Sequence, residues 1–227
     1  MNIEIMHRPG NAAAKVTLES SEQLTAEAGA MIAMSGDIGI TTTTHKKESG
    51  GILKAVKRML AGESMFLNHF NASSQRGEIW LATTLPGDMM EHTLDNETLI
   101  VQGGSYVASE PDIEIDLGWQ GFKSVFSGES IFWVRLVGTG KIIINSFGAI
   151  YPIEVDGEYI VDTGHIVAFN DTLDFTITKA GSSWINSFLS GEGLVCKFQG
   201  RGTVWCQSHK SSSFGQTLTS TLKPRSA

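Results

Sequence analysis

The sequence predicts a mainly β protein made of three tandem, β-sandwich-like units with short helices between them. Three observations predict it. A Gly-Glu motif followed by an apolar run occurs three times, as GESMFLNHF (62–70), GESIFWVRL (128–136) and GEGLVCKFQG (191–200). Its copies are evenly spaced, at 128−62 = 66 and 191−128 = 63 residues. Upstream of each copy, a glycine, three residues and an alanine recur at Gly29/Ala33, Gly104/Ala108 and Gly164/Ala168. Finally, 25 glycines but only 5 prolines in 227 residues suit a fold of many tight turns rather than a disordered chain. Ordered landmarks that recur at a fixed period mark an internal repeat.

Taken in chain order, each unit opens on a turn, a glutamate and an apolar run ending at the repeated glycine: LESSEQLTAEAG (18–29), LDNETLIVQGG (94–104) and VDGEYIVDTG (155–164). These read as a turn and strand. The glycine-alanine pair then leads into alternation, clearest at Asp112-Ile113-Glu114-Ile115-Asp116, the period of a half-buried strand. A short helix is expected next. In the first unit Ile52, Leu53, Val56, Met59 and Leu60 share a face opposite Lys54, Lys57 and Arg58; the later units shorten it to WQGFKSVFSGE (119–129) and WINSFLSGE (184–192). The polar stretch TTTTHKKESGG (41–51) reads as an inserted loop or extended hairpin. Hairpins are expected to close each unit at Gly77, at Gly138-Thr139-Gly140 and at Gly200-Arg201-Gly202, because short hairpin turns require positive φ. One domain over 1–207, with units at about 1–85, 86–150 and 151–207, leaves 208–227 as a flexible tail.

Composition limits function. Seventeen Lys+Arg against 24 Asp+Glu give a net charge of −7, which opposes the positive field needed to hold nucleic acid. The start, MNIEIMHRPG, has no basic region leading into an apolar run, and no stretch approaches 18 consecutive apolar residues. Neither a signal peptide nor a membrane span is read, and a cytoplasmic location is expected. A hairpin centred on Arg201 would set Cys196 and Cys206 side by side on adjacent strands, as free, packed thiols in a reducing compartment.

The candidate chemistry weighs towards architecture. Glu63, Glu129 and Glu192 recur in every unit, as turn residues do and a single catalytic acid does not. Asp112, Glu114 and Asp116 read as a solvated strand face; a cation would need further converging oxygens. His7, His45, His69, His92, His165 and His209 form no metal-binding spacing, and no nucleophile elbow or phosphate loop is present. The basic helix at 52–60 is more suited to docking on the sheet than to lying on a membrane. Trp119, Phe122, Phe126, Trp133, Phe147 and Trp184 cluster about the unit junctions as core or subunit contacts. No catalytic, cofactor-binding or metal-binding residue is assigned, no cofactor is expected, and the chain is read as not an enzyme.

With EAGAMIAMSGDI (27–38), GGILKAVKRMLAGESMFLNHF (50–70), PGDMMEHTL (86–94) and SGEGLVCKFQGRGTVW (190–205) on the page, the chain resembles bacterial relatives of the altered-inheritance-of-mitochondria family. The resemblance implies a fold like that of the tryptophan RNA-binding attenuation protein, with three such units per chain closing into a homotrimeric ring of nine. It implies a scaffold rather than a catalyst and supplies no catalytic residues. The expected function is therefore a non-catalytic oligomeric scaffold or interaction protein, whose protein partner is not named by the sequence. The alternatives are a small-ligand-binding protein with sites between units and a hydrolase whose site the sequence does not display. The expected partner is a further copy of the chain, as a trimer, with Met6, Val16, Leu18 and Trp205 at the seam; neither nucleic acid nor a membrane is expected.

Overall fold

The computed structural model describes residues 1–44, 65–117, 133–179 and 194–222. The expected helices at 52–60, 119–129 and 184–192 lie outside the described residues. So do Gly62, Gly128 and Gly191, their glutamates, and Trp119, Phe122, Phe126 and Trp184.

Residues 1–81 supply β1 (Asn2–Met6), β2 (Ala13–Leu18), β3 (Gln23–Glu27), β4 (Met31–Met34), β5 (Ile38–Thr44), β6 (Phe66–Ala72) and β7 (Gly77–Leu81). Residues 89–145 supply β8 (Met89–Gln102), β9 (Tyr106–Ser109), β10 (Ile113–Asp116) and β11 (Trp133–Asn145). Residues 150–207 supply β12 (Ile150–Asp162), β13 (Ile166–Asn170), β14 (Asp174–Lys179) and β15 (Leu194–Gln207). The protein is mainly β, and the pairs between named strands are antiparallel.

The same three pairings occur in each segment. The opening strand runs against the closing one: β8 on β11, β12 on β15, and β2 and β3 on β7 and β6. The strand after the repeated glycine pairs with the end of the closing strand: β4 on β7, β9 on β11 and β13 on β15. The following strand pairs with its start: β5 on β6, β10 on β11 and β14 on β15. Each of the middle pairings carries a register shift at the alanine landmark, with Ala33 opposite Trp80, Ala108 opposite Ile143 and Ala168 opposite Trp205. A bulge re-aims the strand and ends regular pairing.

The segments are joined by further sheet pairing. Thr25 and Ala26 of β3 pair with Ser109 and Ala108 of β9. Leu99, Ile100 and Val101 of β8 pair with Asn170, Phe169 and Ala168 of β13. The result is a four-stranded sheet, β1-β2-β7-β4, and an eleven-stranded one whose main path runs β12-β15-β13-β8-β11-β9-β3-β6-β5. Three buried clusters fill the interior, and each mixes segments. Met89, Val107 and Ile143 pack into the first cluster, Leu67, Val167 and Trp205 into the second, and Ile100 and Trp133 into the third.

The crossings between segments lie side by side. Ala12 N–H donates to Gly87 O at 2.9 Å, Asp88 N–H to Gly148 O at 2.9 Å, and Ser208 N–H to Ala149 O at 3.0 Å. Arg8 Nε and Nη2 donate to the Asp88 carboxylate at 2.7 and 2.9 Å, and Asp88 is buried. A buried carboxylate needs such a partner.

Several expectations are corrected. The glycines at 138, 140 and 200 do not close hairpins but lie inside the continuous strands β11 and β15, at φ +138°, +152° and +117°. Their positive φ bends a strand without reversing it, because the residues on both sides keep one partner strand, β8 or β12. Gly77 begins β7, which pairs in a different sheet from β6, so it also closes no hairpin. Of the two readings of the stretch from Thr41, loop or extended hairpin, Thr41–Thr44 fit the second: they belong to β5 and pair antiparallel with β6, while 45–51 lie outside the described residues. Residues 211–221, read as part of a loose tail, form an α-helix, α1 (Ser211–Thr221). The alternation Ile113-Glu114-Ile115 is observed, with both isoleucines buried and Glu114 exposed.

Gly138 is the most demanding of these glycines. A Cβ there would lie 2.4 Å from Asp112 O, in a backbone conformation that glycine adopts freely and L side chains do not. Gly138→Ala is expected to lower stability by more than about 1 kcal/mol, read as a lower midpoint in urea unfolding. An unchanged midpoint would show that the strand relaxes around a side chain.

Candidate interface at the open sheet edges

The glycine landmarks fix comparable positions in the three segments. Four residues before the glycine stand Thr25, Ile100 and Ile160; five residues after it stand Met34, Ser109 and Phe169. At the first join Thr25 pairs with Ser109, and at the second Ile100 pairs with Phe169; all four side chains are buried. The remaining two are Met34 and Ile160. Both are exposed, Ile160 at 56%. The neighbouring landmark alanines repeat the contrast, since Ala108 and Ala168 are fully buried while Ala33 is exposed.

These residues lie on strands at sheet ends. β4 ends the four-stranded sheet and β12 ends the main path of the eleven-stranded one. Beside Met34, β4 presents Ile32 at 58% exposure; beside Ile160, β12 presents Tyr159, with Tyr151 farther along. An edge strand offers unpaired backbone donors and acceptors, and apolar side chains there mark a surface suited to another strand. β12 is also guarded. Pro152 cannot donate to a ladder, and the exposed Glu154, Asp156 and Glu158 form contacts back to β15 through Thr203, Arg201 and Lys197. The apolar portion of this edge is therefore short and lies at Tyr159–Ile160. Three of the expected seam residues are corrected: Val16 and Leu18 are fully buried in the chain's own core, and Trp205 is nearly so. The fourth, Met6, is half-buried in β1.

The two filled joins differ chemically. At the first, Tyr106 Oη donates to Thr25 O at 3.2 Å and lies 2.9 Å from Ser109 Oγ; His69 bridges Thr25 Oγ1 and Thr43 Oγ1 at 3.0 and 2.7 Å. Burial raises the pKa of the Tyr106 hydroxyl and of the adjoining Glu27 carboxyl above their ordinary values. At the second join the corresponding side chains are apolar, with Phe169 packed edge-on against Trp133 at 5.6 Å. Nothing in the sequence spacing announced the polar network, because its members come from four strands.

The other sequence candidates disperse. His92 packs edge-on against Trp205 at 5.0 Å, and burial lowers its pKa. His165 Nδ1 contacts Gln207 O, and His209 Nδ1 contacts Ser208 Oγ, both at 2.8 Å. Among the described residues, no group of three or more His, Cys, Asp or Glu is placed to hold a metal ion. A cavity of about 480 Å³ lies between the second and third segments, lined by Asn96, Glu97, Thr98, Asn170, Asp171 and Thr172. Several of its polar groups are committed within the chain: Asn170 Oδ1 accepts from Thr203 N–H at 2.8 Å and Thr172 Oγ1 donates to Arg201 O at 3.1 Å.

Cys196 and Cys206 are free and buried, but they are not side by side on adjacent strands. Both lie on β15. Ten extended residues separate them by about 33 Å, several times the reach of a disulfide.

The family model described as "Mitochondrial biogenesis AIM24" matches residues 3–209. The chain belongs to this family. It is similar to an uncharacterised protein of Streptococcus pyogenes serotype M6, at 28% identity over 210 residues covering 90% of this chain and 84% of the relative. It is also similar to a Streptococcus pyogenes protein solved by crystallography, with a TM-score of 0.79, 26% identity, and coverage of 97% of this chain and 99% of the other. Among the described residues, no helix is long and apolar enough to cross a membrane.

The thiolate is the reactive form of cysteine, and burial pushes both thiols up to about 12. At pH 8, native protein is therefore expected to resist alkylation and, once unfolded without reductant, to release two thiols per chain. Rapid labelling of either cysteine in native protein would contradict the burial.

Proposed function

We propose that the chain is three copies of one β unit, at about 1–85, 86–150 and 151–207, and that it works as a non-catalytic, self-associating scaffold or interaction protein. The observation that carries this reading is the pair of exposed residues, Met34 and Ile160, at positions whose counterparts are buried in sheet pairing. Extending the register of the filled joins, Ala33, Met34 and Ser35 of one chain pair with Val161, Ile160 and Tyr159 of a second copy. This contact is heterologous, so it either closes into a ring or continues as a filament. Three chains, contributing nine units, form the expected ring. Two buried free thiols suit a reducing, cytoplasmic setting, and the net charge of −7 argues against nucleic acid as a partner.

The cavity between the second and third segments favours the alternative of a small ligand held between units. Native mass spectrometry separates the readings, because stoichiometric small-molecule ligand on purified protein would replace the scaffold reading with this one.

Sedimentation equilibrium tests the association. The wild type is expected to sediment at three times its chain mass of 24.5 kDa, and Ile160→Arg to shift it towards monomer by burying an unpaired charge at the seam. A wild-type monomer at micromolar concentration would overturn the proposal.

A further inference from the structure

We infer that α1 is an interface arm whose apolar stripe, Phe214, Leu218 and Leu222, packs on the first segment of a second copy of this chain. The inference rests on the seam proposed above and assigns it a second contact. Spacing is the first argument. Phe214 and Leu218 stand four positions apart on one side of the helix, Leu222 follows at the same interval as its extended C-cap, and no charged residue occurs from Ser211 to Leu222. All three are exposed, Leu222 at 66%. Phe214 also packs edge-on against Phe147 at 5.4 Å. An 11-residue helix is marginal without tertiary packing, so a stripe whose residues each stay more than two-fifths exposed signals a missing partner.

Position identifies that partner. At 82–88 and 146–149 the chain crosses from a closing strand into the opening strand of the next segment. After β15 it reaches the corresponding place, where Ser208 and His209 N–H groups donate to Ala149 O and Phe147 O at 3.0 and 3.1 Å. There α1 begins. Lys210 anchors it, with Nζ 3.1 Å from both oxygens of Asp162. Asp162 adjoins Val161, the end of the proposed seam, so α1 is rooted one residue from the contact. The helix is about 16 Å long at 1.5 Å per residue, enough to extend beyond that root.

A matching extra element lies at the other end of the chain. β1 pairs with β2 and precedes the first segment, whereas no described strand plays that part before β8 or β12. A heterologous seam brings the third segment of one chain to the first segment of the next. Neither α1 nor β1 has a counterpart among the described residues of the other segments, and the first segment, with β4 at one edge of its four-stranded sheet and β1 at the other, is what the seam brings to the root of α1. Ile3 and Ile5 of β1 are only partly buried by their own chain.

Full-length Leu218→Ser tests the inference, with Leu218→Met as the conservative control. The side chain is 41% exposed and outside the buried core clusters of the single chain, so the variant is expected to keep the wild-type circular dichroism spectrum. Sedimentation equilibrium is expected to show self-association weakened about tenfold or more, the loss for one leucine removed from a buried contact; Leu218→Met is expected to associate like the wild type. If Ile160→Arg weakens association and Leu218→Ser does not, the helix inference fails alone. If Leu218→Ser weakens it and Ile160→Arg does not, the helix makes a different contact and both proposals fail. A monomeric wild type overturns both. Flotation of wild type, but not Leu218→Ser, with phosphatidylglycerol vesicles would assign the stripe to lipid and overturn the inference.

Discussion

Backbone satisfaction at the strand following each landmark glycine organises this molecule. That strand uses one edge for the closing strand of its own segment. Its other edge must find a partner, because unpaired amide and carbonyl groups are costly when buried and adhesive when exposed. β9 finds β3, and β13 finds β8. Those two joins bury Ala108 and Ala168 completely and make the three hydrophobic clusters share residues between segments. β4 finds no equivalent neighbour in the described chain, and the side chains around it stay wet. At both filled joins such an edge is occupied by the opening strand of a neighbouring segment.

The two filled joins also show how little the side chains need to agree. One uses Thr25, Ser109, Tyr106 and His69 in a hydrogen-bonded network, and the other uses Ile100 and Phe169. Both are compatible with the same main-chain register, because ladder hydrogen bonds belong to the backbone. The proposed Met34–Ile160 pairing would be of the second kind, an apolar contact needing no specific polar partner. Close approach is controlled elsewhere, at the crossings. A Cβ at Gly87 would fall 1.8 Å from Ser146 O, so only glycine allows the neighbouring crossings to lie together at that point.

Much of the fold was legible because its signals were local and repeated. Alternation at Ile113–Ile115 located a strand, whereas the glycine-alanine spacing marked comparable positions without announcing the register shifts that fall there. What glycine could not reveal was chain direction. Gly138 and Gly200 signal a positive φ, which serves equally in a hairpin and in a bend within a long strand; the continuous partners β8 and β12 decide the matter. The same error misplaced Cys196 and Cys206. Apolar character likewise failed to distinguish Leu18, sealed in its own core, from Ile160, left at an edge. That distinction depends on sheet order, which no local pattern encodes. α1 was missed because serine, threonine and glycine are weak helix formers, leaving only the spacing of Phe214, Leu218 and Leu222 as a signal.

The central claim is a pairing register between chains, and site-directed cross-linking measures it directly. Cysteines placed together at Met34 and Ile160 and treated with a short bis-maleimide are expected to link chains through facing side chains, cross-strand neighbours being about 5 Å apart at Cβ. The native Cys196 and Cys206, buried on β15, serve as an unreactive background. A denaturing gel is expected to show a ladder that stops at three chains, with no ladder from either single substitution. Monomer alone, or equally efficient linking when the second cysteine is moved from Ile160 to Tyr151, would contradict the account.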